Sequence, residues 1–270
     1  MHDGVNPATP ESAMLSSELR AQAAAVFGDA LPHAEKFAEL LAGSGAERGV
    51  IGPAEADRIW ERHLLNCAAI AHLLPARCSL VDVGSGAGLP GIVLAMLLPH
   101  ARVTLLEPLA RRVDFLNDAV AELGVTNAEV VRGRAEDLAG QMSADVVTAR
   151  AVAPLDKLAV LAVGLVRPGG RVLAIKGSSA ESELAKARPV LGRLGVTDAR
   201  VTRAGTPGGG ATATVVTFTT PDHAGSAQPG ARTGGLATGR GPGAQPGRAH
   251  RPGSPAAGRR GRPNSRRGGG

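Results

Sequence analysis

A glycine-rich turn between an apolar strand and a helix constrains the fold of this 270-residue chain more than any other feature. Residues 80–91 read LVDVGSGAGLPG, with glycines at alternate positions from Gly84 to Gly88. Glycine lets the backbone adopt positive φ and approach a ligand closely, and Pro90 suits the first turn of a helix. The pattern predicts the first strand of an α/β sheet, with a nucleotide-like ligand at its carboxyl end.

Three alternatives are open for the ligand of this turn. Residues 86–91 match the G-x-G-x-x-G pattern of dinucleotide sites, but the match starts late, after the turn has begun at Gly84. Asp82 would repel a pyrophosphate, whereas S-adenosylmethionine, with its ammonium and sulfonium groups, would tolerate a carboxylate there. A glycine turn without a ligand is the third alternative. We favour S-adenosylmethionine and predict that Asp82, Gly84 and Gly86 bind it.

A carboxylate at the end of the second predicted strand supports a nucleoside ligand. Residues 103–106 read VTLL and lead directly to Glu107, about twenty residues beyond the turn. A carboxylate at this point can accept hydrogen bonds from both ribose hydroxyls. NAD would need the same contact, and an ordinary surface glutamate is the alternative, so Glu107 supports a nucleoside without choosing between cofactors.

Strand-like and helix-like segments alternate along the rest of the chain. We predict strands at 79–83, 102–106, 128–132, 144–149 and 170–176, and helices at 89–98, 109–123, 154–165 and 180–192. Short apolar strands of this kind are typical of buried parallel sheets. Two further strands at 197–203 and 212–219 could pair as a hairpin and add an antiparallel edge. Residues 76–220 are therefore expected to form a doubly wound, mostly parallel seven-stranded α/β sheet.

Three helices are predicted ahead of the sheet, as a cap over residues 14–75. They cover 14–27, 32–41 and 54–74, with a break at the glycines of residues 43–45 and a loop at 46–53. The third helix would carry His63 and Cys67 on an apolar stripe, and Arg62 on a polar stripe. His63 is thus interpreted as a core histidine, and Arg62 as a candidate for the cleft between cap and sheet.

The two ends of the chain differ in composition from the middle. Residues 221–270 contain fourteen Gly, seven Pro and nine Arg, with one acidic residue, Asp222, and no Phe, Trp or Tyr. The tail therefore has a net charge of +8. Because the whole chain has a net charge of +6, residues 1–220 sum to −2. Residues 1–13 and 221–270 are expected to be disordered. The tail is either a nonspecific electrostatic contact to RNA or an extension without a function.

Cysteine usage and hydropathy narrow the class of protein. Cys67 and Cys78 have no metal-ligand spacing, which predicts two reduced thiols and no metal. The longest apolar stretch, residues 89–98, is about half the length that spans a bilayer, and no basic-then-apolar signal opens the chain. We expect a cytoplasmic monomer that does not contact membranes.

Six motifs in a fixed order resemble one enzyme family. They are residues 60–67 (WERHLLNC), 80–91 (LVDVGSGAGLPG), 104–108 (TLLEP), 132–136 (RGRAE), 148–152 (TARAV) and 173–177 (LAIKG). The glycine turn alone would indicate only a class I, Rossmann-like, S-adenosylmethionine-dependent methyltransferase. The whole set resembles the bacterial small-subunit rRNA guanine-N7 methyltransferases (RsmG, formerly glucose-inhibited division protein B), over roughly residues 15–220.

The resemblance implies a substrate and a set of cofactor contacts. The substrate would be N7 of one guanosine, number 527 in standard rRNA numbering, in the 530 loop of 16S rRNA, either naked or in an assembling small subunit. S-adenosylmethionine would be held by Gly84 and Leu89 at the turn, by Ala135 and Glu136 beside the adenine, and by Arg150. Many members carry Asp-Ser where this chain has Asn66-Cys67, which puts any role for a carboxylate there in doubt.

Guanine N7 needs no general base, because its lone pair lies in the ring plane and carries no proton. Proximity and orientation should therefore supply most of the rate, and we assign no catalytic acid or base. Arg150, at a strand end, could clamp the methionine carboxylate or an RNA phosphate bidentately. Lys176, Arg62 and His63 are candidates for positioning the RNA. The alternatives are a methyltransferase of a small molecule or a protein, and a non-catalytic RNA-binding protein that acts through its tail.

Overall fold

A seven-stranded sheet organises the computed structural model, which describes residues 16–52, 55, 58–206 and 209–222. The strand order is β3-β2-β1-β4-β5-β7-β6. In chain order the strands are β1 Ser79–Val83, β2 Arg102–Glu107, β3 Ala128–Arg132, β4 Ala144–Arg150, β5 Val166–Lys176, β6 Arg200–Gly205 and β7 Thr212–Thr219. Six of the seven lie close to their predicted positions. The fifth begins at Val166 rather than at residue 170, because residues 166–169 continue the strand beside β4.

The first five strands are parallel, which confirms the predicted doubly wound sheet. β1 lies between β2 and β4, so the strand order reverses there and opens a crevice at the carboxyl ends of the strands. β6 and β7 form the predicted antiparallel hairpin. β7 also pairs with β5, so the edge of the sheet is β6.

Four helices connect the strands. They are α4 Gly91–Leu97, α5 Ala110–Leu123, α6 Leu155–Val163 and α7 Ala180–Arg193. α5 ends as its sequence predicts, since Gly124 follows it with φ of 63°, a left-handed conformation that suits glycine. α4 begins at Gly91 rather than at the predicted residue 89, so the glycine turn extends to Pro90.

The cap begins with α1 Ser17–Phe27 and α2 Leu31–Leu40. The predicted break after α2 is wrong, because a π-helical turn continues the chain through Leu41–Gly45, and residues 46 and 47 are helical as well. A Cβ on Gly45 would lie 3.1 Å from the Leu40 carbonyl oxygen and 3.5 Å from the ring of Phe115. Glycine at this point therefore allows close packing against α5 rather than ending the helix.

The predicted third helix is interrupted. It consists of a π-helical turn at Ile59–Leu64, a single α-helical turn, α3, at Leu65–Ala68, and a 3₁₀ turn at Ala71–Leu73. The predicted stripes hold: Ile59, His63, Cys67 and Ile70 are buried, while Arg58 and Arg62 are exposed. π-helical turns are frequent at functional sites, and this one carries Arg62 and His63.

Two hydrophobic cores lie on the two faces of the sheet. The first is shared by the cap and by residues of β1, β2, α4 and α5, among them Phe37, Leu64, Leu105 and Phe115. The second lies under α6 and α7. Within the described residues, no helix is both long and apolar enough to cross a membrane. The predictions for residues 1–13 and for the tail from residue 223 onward lie outside the described residues.

Candidate active site

The glycine turn is tied to the end of the neighbouring strand by its backbone. The N–H groups of Gly84 and Ser85 donate to the carbonyl oxygen of Leu106, at 2.8 and 3.1 Å. Gly84, Gly86 and Gly88 have φ values of 65°, 57° and 86°, which only glycine adopts without strain. The turn therefore needs its three glycines for its backbone conformation, whatever ligand it holds.

Three glycines of residues 84–91 are also required by close packing, among them Gly88, where a Cβ would lie 2.5 Å from a side-chain carbon of Ile92. A Cβ on Gly84 would lie 2.8 Å from a methyl carbon of Val152, and a Cβ on Gly91 would collide with the side chains of Leu105 and Asp82. Gly91, the first residue of α4, was not singled out from the sequence. Leu89, two residues earlier and a predicted cofactor contact, is half-buried and packs against the core that cap and sheet share.

Asp82 is fully buried and faces the start of α4. Its Oδ2 accepts a hydrogen bond of 3.0 Å from the N–H of Gly91. Its Oδ1 has no hydrogen-bond partner among the described residues. Desolvation raises the pKa of this carboxyl to about 7. Asp82 thus holds the turn against α4, and its predicted contact with a ligand stays a prediction.

An Asp82→Asn variant should change how stability depends on pH. A carboxyl whose pKa is raised on folding stabilises the fold below its unfolded pKa near 4, and this contribution is lost as the pH rises through about 7. His63, whose pKa is lowered to about 4, acts in the opposite direction, since its contribution is lost as the pH falls from 6.5. Between pH 5 and pH 8, we expect the free energy of unfolding to fall by about 2 kcal/mol less in Asp82→Asn than in the unmodified chain.

Urea unfolding of both proteins at the two pH values measures this difference, in which the His63 contribution cancels. Asp114→Asn, at an exposed position of α5, is the matched control. Equal pH dependence in all three proteins would show that Asp82 is ionised throughout.

Glu107 is 1 % exposed and binds the backbone on both sides of the crevice. Its Oε2 accepts a 3.0 Å hydrogen bond from the N–H of Gly86, and its Oε1 accepts one of 3.0 Å from the N–H of Leu109. Arg112 lies 3.8 Å from Oε2. The carboxylate therefore joins the glycine turn to the start of α5, and each oxygen keeps a lone pair for a further donor.

A cavity of about 840 Å³, here called the glycine-loop cavity, opens beside this carboxylate. Four of the predicted cofactor residues line it: Gly84, Glu107, Ala135 and Glu136. Sequence reasoning missed the apolar part of the lining. Leu109, Val152 and Val160 are 51 %, 36 % and 53 % exposed, unusually high for large aliphatic side chains, and all three line this cavity. An apolar wall facing a buried carboxylate suits a ligand with a flat ring and a sugar.

Arg150 joins the end of β4 to the cap. Its Nη2 donates to the carbonyl oxygen of Arg62 at 3.2 Å and contacts Nδ1 of His63, and its Nη1 donates to Sγ of Cys67 at 3.2 Å. These contacts use three of the five guanidinium N–H donors. Arg150 does not line the glycine-loop cavity; it lines the cleft next to it.

His63 is buried and acts as an acceptor toward Arg150. Burial and the nearby guanidinium of Arg150 lower the pKa of His63 to about 4. The ring is therefore neutral at pH 7, with Nδ1 as the acceptor and the proton on Nε2. Nε2 lies 2.7 Å from Oε2 of Glu55, although the contact is not aligned as a hydrogen bond. His63 is therefore a core residue, as predicted, that also supports Arg150, while its predicted part in positioning the RNA stays a prediction.

A second cleft, of about 790 Å³, adjoins the glycine-loop cavity and is here called the Lys176 cleft. Arg62, Asn66, Arg150 and Lys176 are among its lining residues. Residues 151–153 line both spaces and form a shared wall. Ala151 has φ of 55°, a conformation that costs a non-glycine residue energy and clusters at functional sites. The two spaces can thus present two ligands to each other at this wall.

Lys176 is less available to RNA than its sequence position suggests. Its side chain is 8 % exposed, and Nζ lies 2.8 Å from Oε2 of Glu183 while donating to the carbonyl oxygen of Ala153 at 2.7 Å. Asn66 stands where the resemblance leads us to expect an aspartate, and its Nδ2 donates to the carbonyl oxygen of Thr212. An ionised aspartate has no N–H and could not make that bond.

The residues described include no cluster of three or more histidine, cysteine or carboxylate side chains that could hold a metal ion. The site thus consists of a glycine turn, the two buried carboxylates Asp82 and Glu107, an apolar wall and an adjoining cationic cleft.

Comparison with known proteins identifies the family. The family model described as "rRNA small subunit methyltransferase G" matches residues 30–208. The chain belongs to this family. This confirms the family that the six sequence motifs resemble, and it confirms that the chain is a methyltransferase.

Curated relatives agree. A protein of Thermobifida fusca named "Ribosomal RNA small subunit methyltransferase G" is 54% identical over 180 residues, which cover 67% of this chain and 76% of the relative. A protein of the same name from Mycolicibacterium smegmatis is 51% identical over 210 residues, covering 76% and 84%. Among solved structures, the apo form of the S-adenosylmethionine-dependent methyltransferase SibL has a TM-score of 0.49 and 20% identity over 62% of this chain and 57% of its own.

Proposed function

We propose that this chain transfers a methyl group from S-adenosylmethionine to N7 of a guanosine in the 530 loop of 16S rRNA. Family membership supports an RNA substrate in the small ribosomal subunit. The observation that carries the proposal is the shared wall at residues 151–153, on either side of which lie a cavity suited to a nucleoside and a cleft lined by cations.

The glycine-loop cavity fits S-adenosylmethionine by its chemistry. The buried Glu107 can accept hydrogen bonds from ribose hydroxyls, and Leu109, Val152 and Val160 offer apolar surface to an adenine ring. Ala135 and Glu136 would lie at the adenine edge. A Cβ at Gly84 would enter Val152, so the turn and the wall are in contact where the methionine end would lie. The bound sulfonium supplies an electrophilic methyl group.

The Lys176 cleft suits an anionic polymer. Its lining includes four cationic side chains, Arg62, Arg150, Lys176 and Lys186, and one carboxylate, Glu183. Arg62 is 52% exposed and lies 3.3 Å from Oε1 of Glu55, so part of its guanidinium is open to a phosphate. Among the described residues, two N–H donors of Arg150 are not used in its contacts with the cap. Both N–H groups of Nη2 are among those used, so the remaining two lie on Nε and Nη1, on different sides of the guanidinium, and each suits a single hydrogen bond to an anion rather than a bidentate contact.

The residues of the site orient the reactants and need not move a proton. N7 of guanine carries a lone pair and no hydrogen, so a general base would have no task. His63, which is neutral at pH 7, supports Arg150 rather than the base. Orientation alone can supply a large share of the rate, which agrees with a site rich in backbone and packing contacts.

Two measurements test the proposal. The purified full chain is incubated with S-adenosylmethionine and either naked 16S rRNA or small subunits isolated from cells that lack the gene, and N7-methylguanosine is mapped along the RNA. We expect one modified guanosine, in the 530 loop, on at least one of the two substrates. Methylation at another base, or of a small molecule or protein only, would overturn the proposal.

A further inference from the structure

Glu183 lies at a junction that the reaction as proposed does not explain. It is in the first turn of α7, distant in sequence from the glycine turn, and its side chain is 23% exposed. Its Oε2 lies 2.8 Å from Nζ of Lys176 and accepts the N–H of Leu155 at 3.2 Å. Its Oε1 accepts the hydroxyl of Ser179 at 2.8 Å. One carboxylate thus joins β5, α6 and α7.

These contacts hold the shared wall at its C-terminal end. Lys176 binds the carbonyl oxygen of Ala153, at the end of the wall, and Glu183 binds the N–H of Leu155, the first residue of α6. This N–H is one of the four at the start of a helix that have no intrahelical acceptor, and Pro154, at the N-cap of α6, gives the first turn no side-chain cap. Glu183 therefore provides the missing cap from another helix, and Lys176 and Glu183 together form what we call the Ala153 clamp.

The clamp also determines where the wall meets the glycine turn. Between its attachment at Ala153 and the end of β4, the chain passes through Ala151, whose positive φ is maintained only if the surroundings impose it. Val152 packs so closely on Gly84 that a single added methyl would lie 2.8 Å from it. A shift of the wall by a fraction of an ångström would therefore change the glycine-loop cavity.

We propose that Glu183 is a positioning residue for methyl transfer, which holds residues 151–154 through the Ala153 clamp and so shapes the glycine-loop cavity from the opposite side of the wall. This inference rests on the proposed function, because it assigns S-adenosylmethionine to that cavity. Glu183 lines the Lys176 cleft and not the glycine-loop cavity. An effect on S-adenosylmethionine binding would therefore pass through the wall.

The test is the affinity for S-adenosylmethionine, measured by calorimetry without RNA and well below the melting temperature of each protein. Glu183→Gln keeps the shape and one acceptor but removes the ion pair with Lys176. We expect it to bind roughly fivefold more weakly, at the lower end of typical coupling between sites. The matched control is Glu181→Gln, exposed in the same helical turn, which removes the same charge and should bind as the unmodified chain does.

Lys176→Met removes the other member of the Ala153 clamp, and it tests the inference if Glu183→Gln does not fold. We expect Lys176→Met to lose a similar amount of affinity for S-adenosylmethionine. The double variant should bind no more weakly than the weaker of the two single variants, because both changes break one unit. Unchanged affinity in a folded Glu183→Gln or Lys176→Met protein would overturn the inference. If the unmodified chain did not bind S-adenosylmethionine, the proposed function would fail first, so the two failures are distinguishable.

Discussion

An Arg150→Met variant is expected to transfer methyl groups at least about a hundredfold more slowly than the unmodified chain, because misplaced reactants cost rates of this order. Methionine has a similar length but donates no hydrogen bond. The carbonyl oxygen of Arg62 and Nδ1 of His63 would then lose their donor, and the Lys176 cleft would lose one of its four cations. The rate is measured with saturating S-adenosylmethionine and RNA, so that weaker binding does not conceal slower transfer.

The control for Arg150 is Arg62→Met, which removes an exposed cation from the same cleft. It should weaken RNA binding a fewfold and leave the saturated rate nearly unchanged. Because Arg150 also joins cap and sheet, its loss should lower the free energy of unfolding by about 1–3 kcal/mol, and urea unfolding shows whether the variant is folded in the assay. A folded Arg150→Met protein with the normal saturated rate would refute its role.

A Glu107→Gln variant is expected to bind S-adenosylmethionine about a hundredfold more weakly, since buried hydrogen bonds to a charged group contribute about 1.5–3 kcal/mol each. Glutamine has one acceptor oxygen and one NH₂ group. One of the two backbone donors, at Gly86 or at Leu109, would therefore face an NH₂ group, and the ribose would lose a charged acceptor. Calorimetric titration with S-adenosylmethionine measures the loss.

Asp156→Asn is the matched control for Glu107, because Asp156 lines the same cavity and is only half-buried. It should change the affinity by no more than about twofold. If Glu107→Gln bound S-adenosylmethionine as tightly as this control does, the carboxylate would serve only to hold the turn.

The succession of strands and helices and the parallel arrangement of the first five strands could be predicted because they follow from local patterns. A buried strand, a glycine turn and a helix are adjacent in sequence, and the place of Glu107 after the next strand is fixed by one crossover. The same holds for Gly84 and Ala135, which the structure places in the cavity that the turn predicted. These features require no knowledge of which distant segments touch.

Features that depend on distant contacts could not be predicted. Apolar periodicity does not distinguish hydrogen bonds to the fourth residue from those to the fifth, so the π-helical turn that carries Arg62 and His63 was interpreted as a regular helix. The apolar and polar residues of a hairpin alternate in the same way whichever of its strands pairs with β5. The sequence therefore does not predict that β7, rather than β6, lies beside β5. Glu183 gave only a weak signal, as an acidic residue in the first turn of a helix, which is common for reasons unrelated to function.

Because the cap and the sheet share one hydrophobic core, the methyltransferase fold of this chain is not a module that could be exchanged alone. A chain begun at residue 76 would expose one face of the sheet, including Leu105, and the inner side of α5, including Phe115. It would also lose His63 and Cys67, the groups that hold Arg150. Engineering that transplants or minimises this enzyme must therefore carry the cap as part of the catalytic unit.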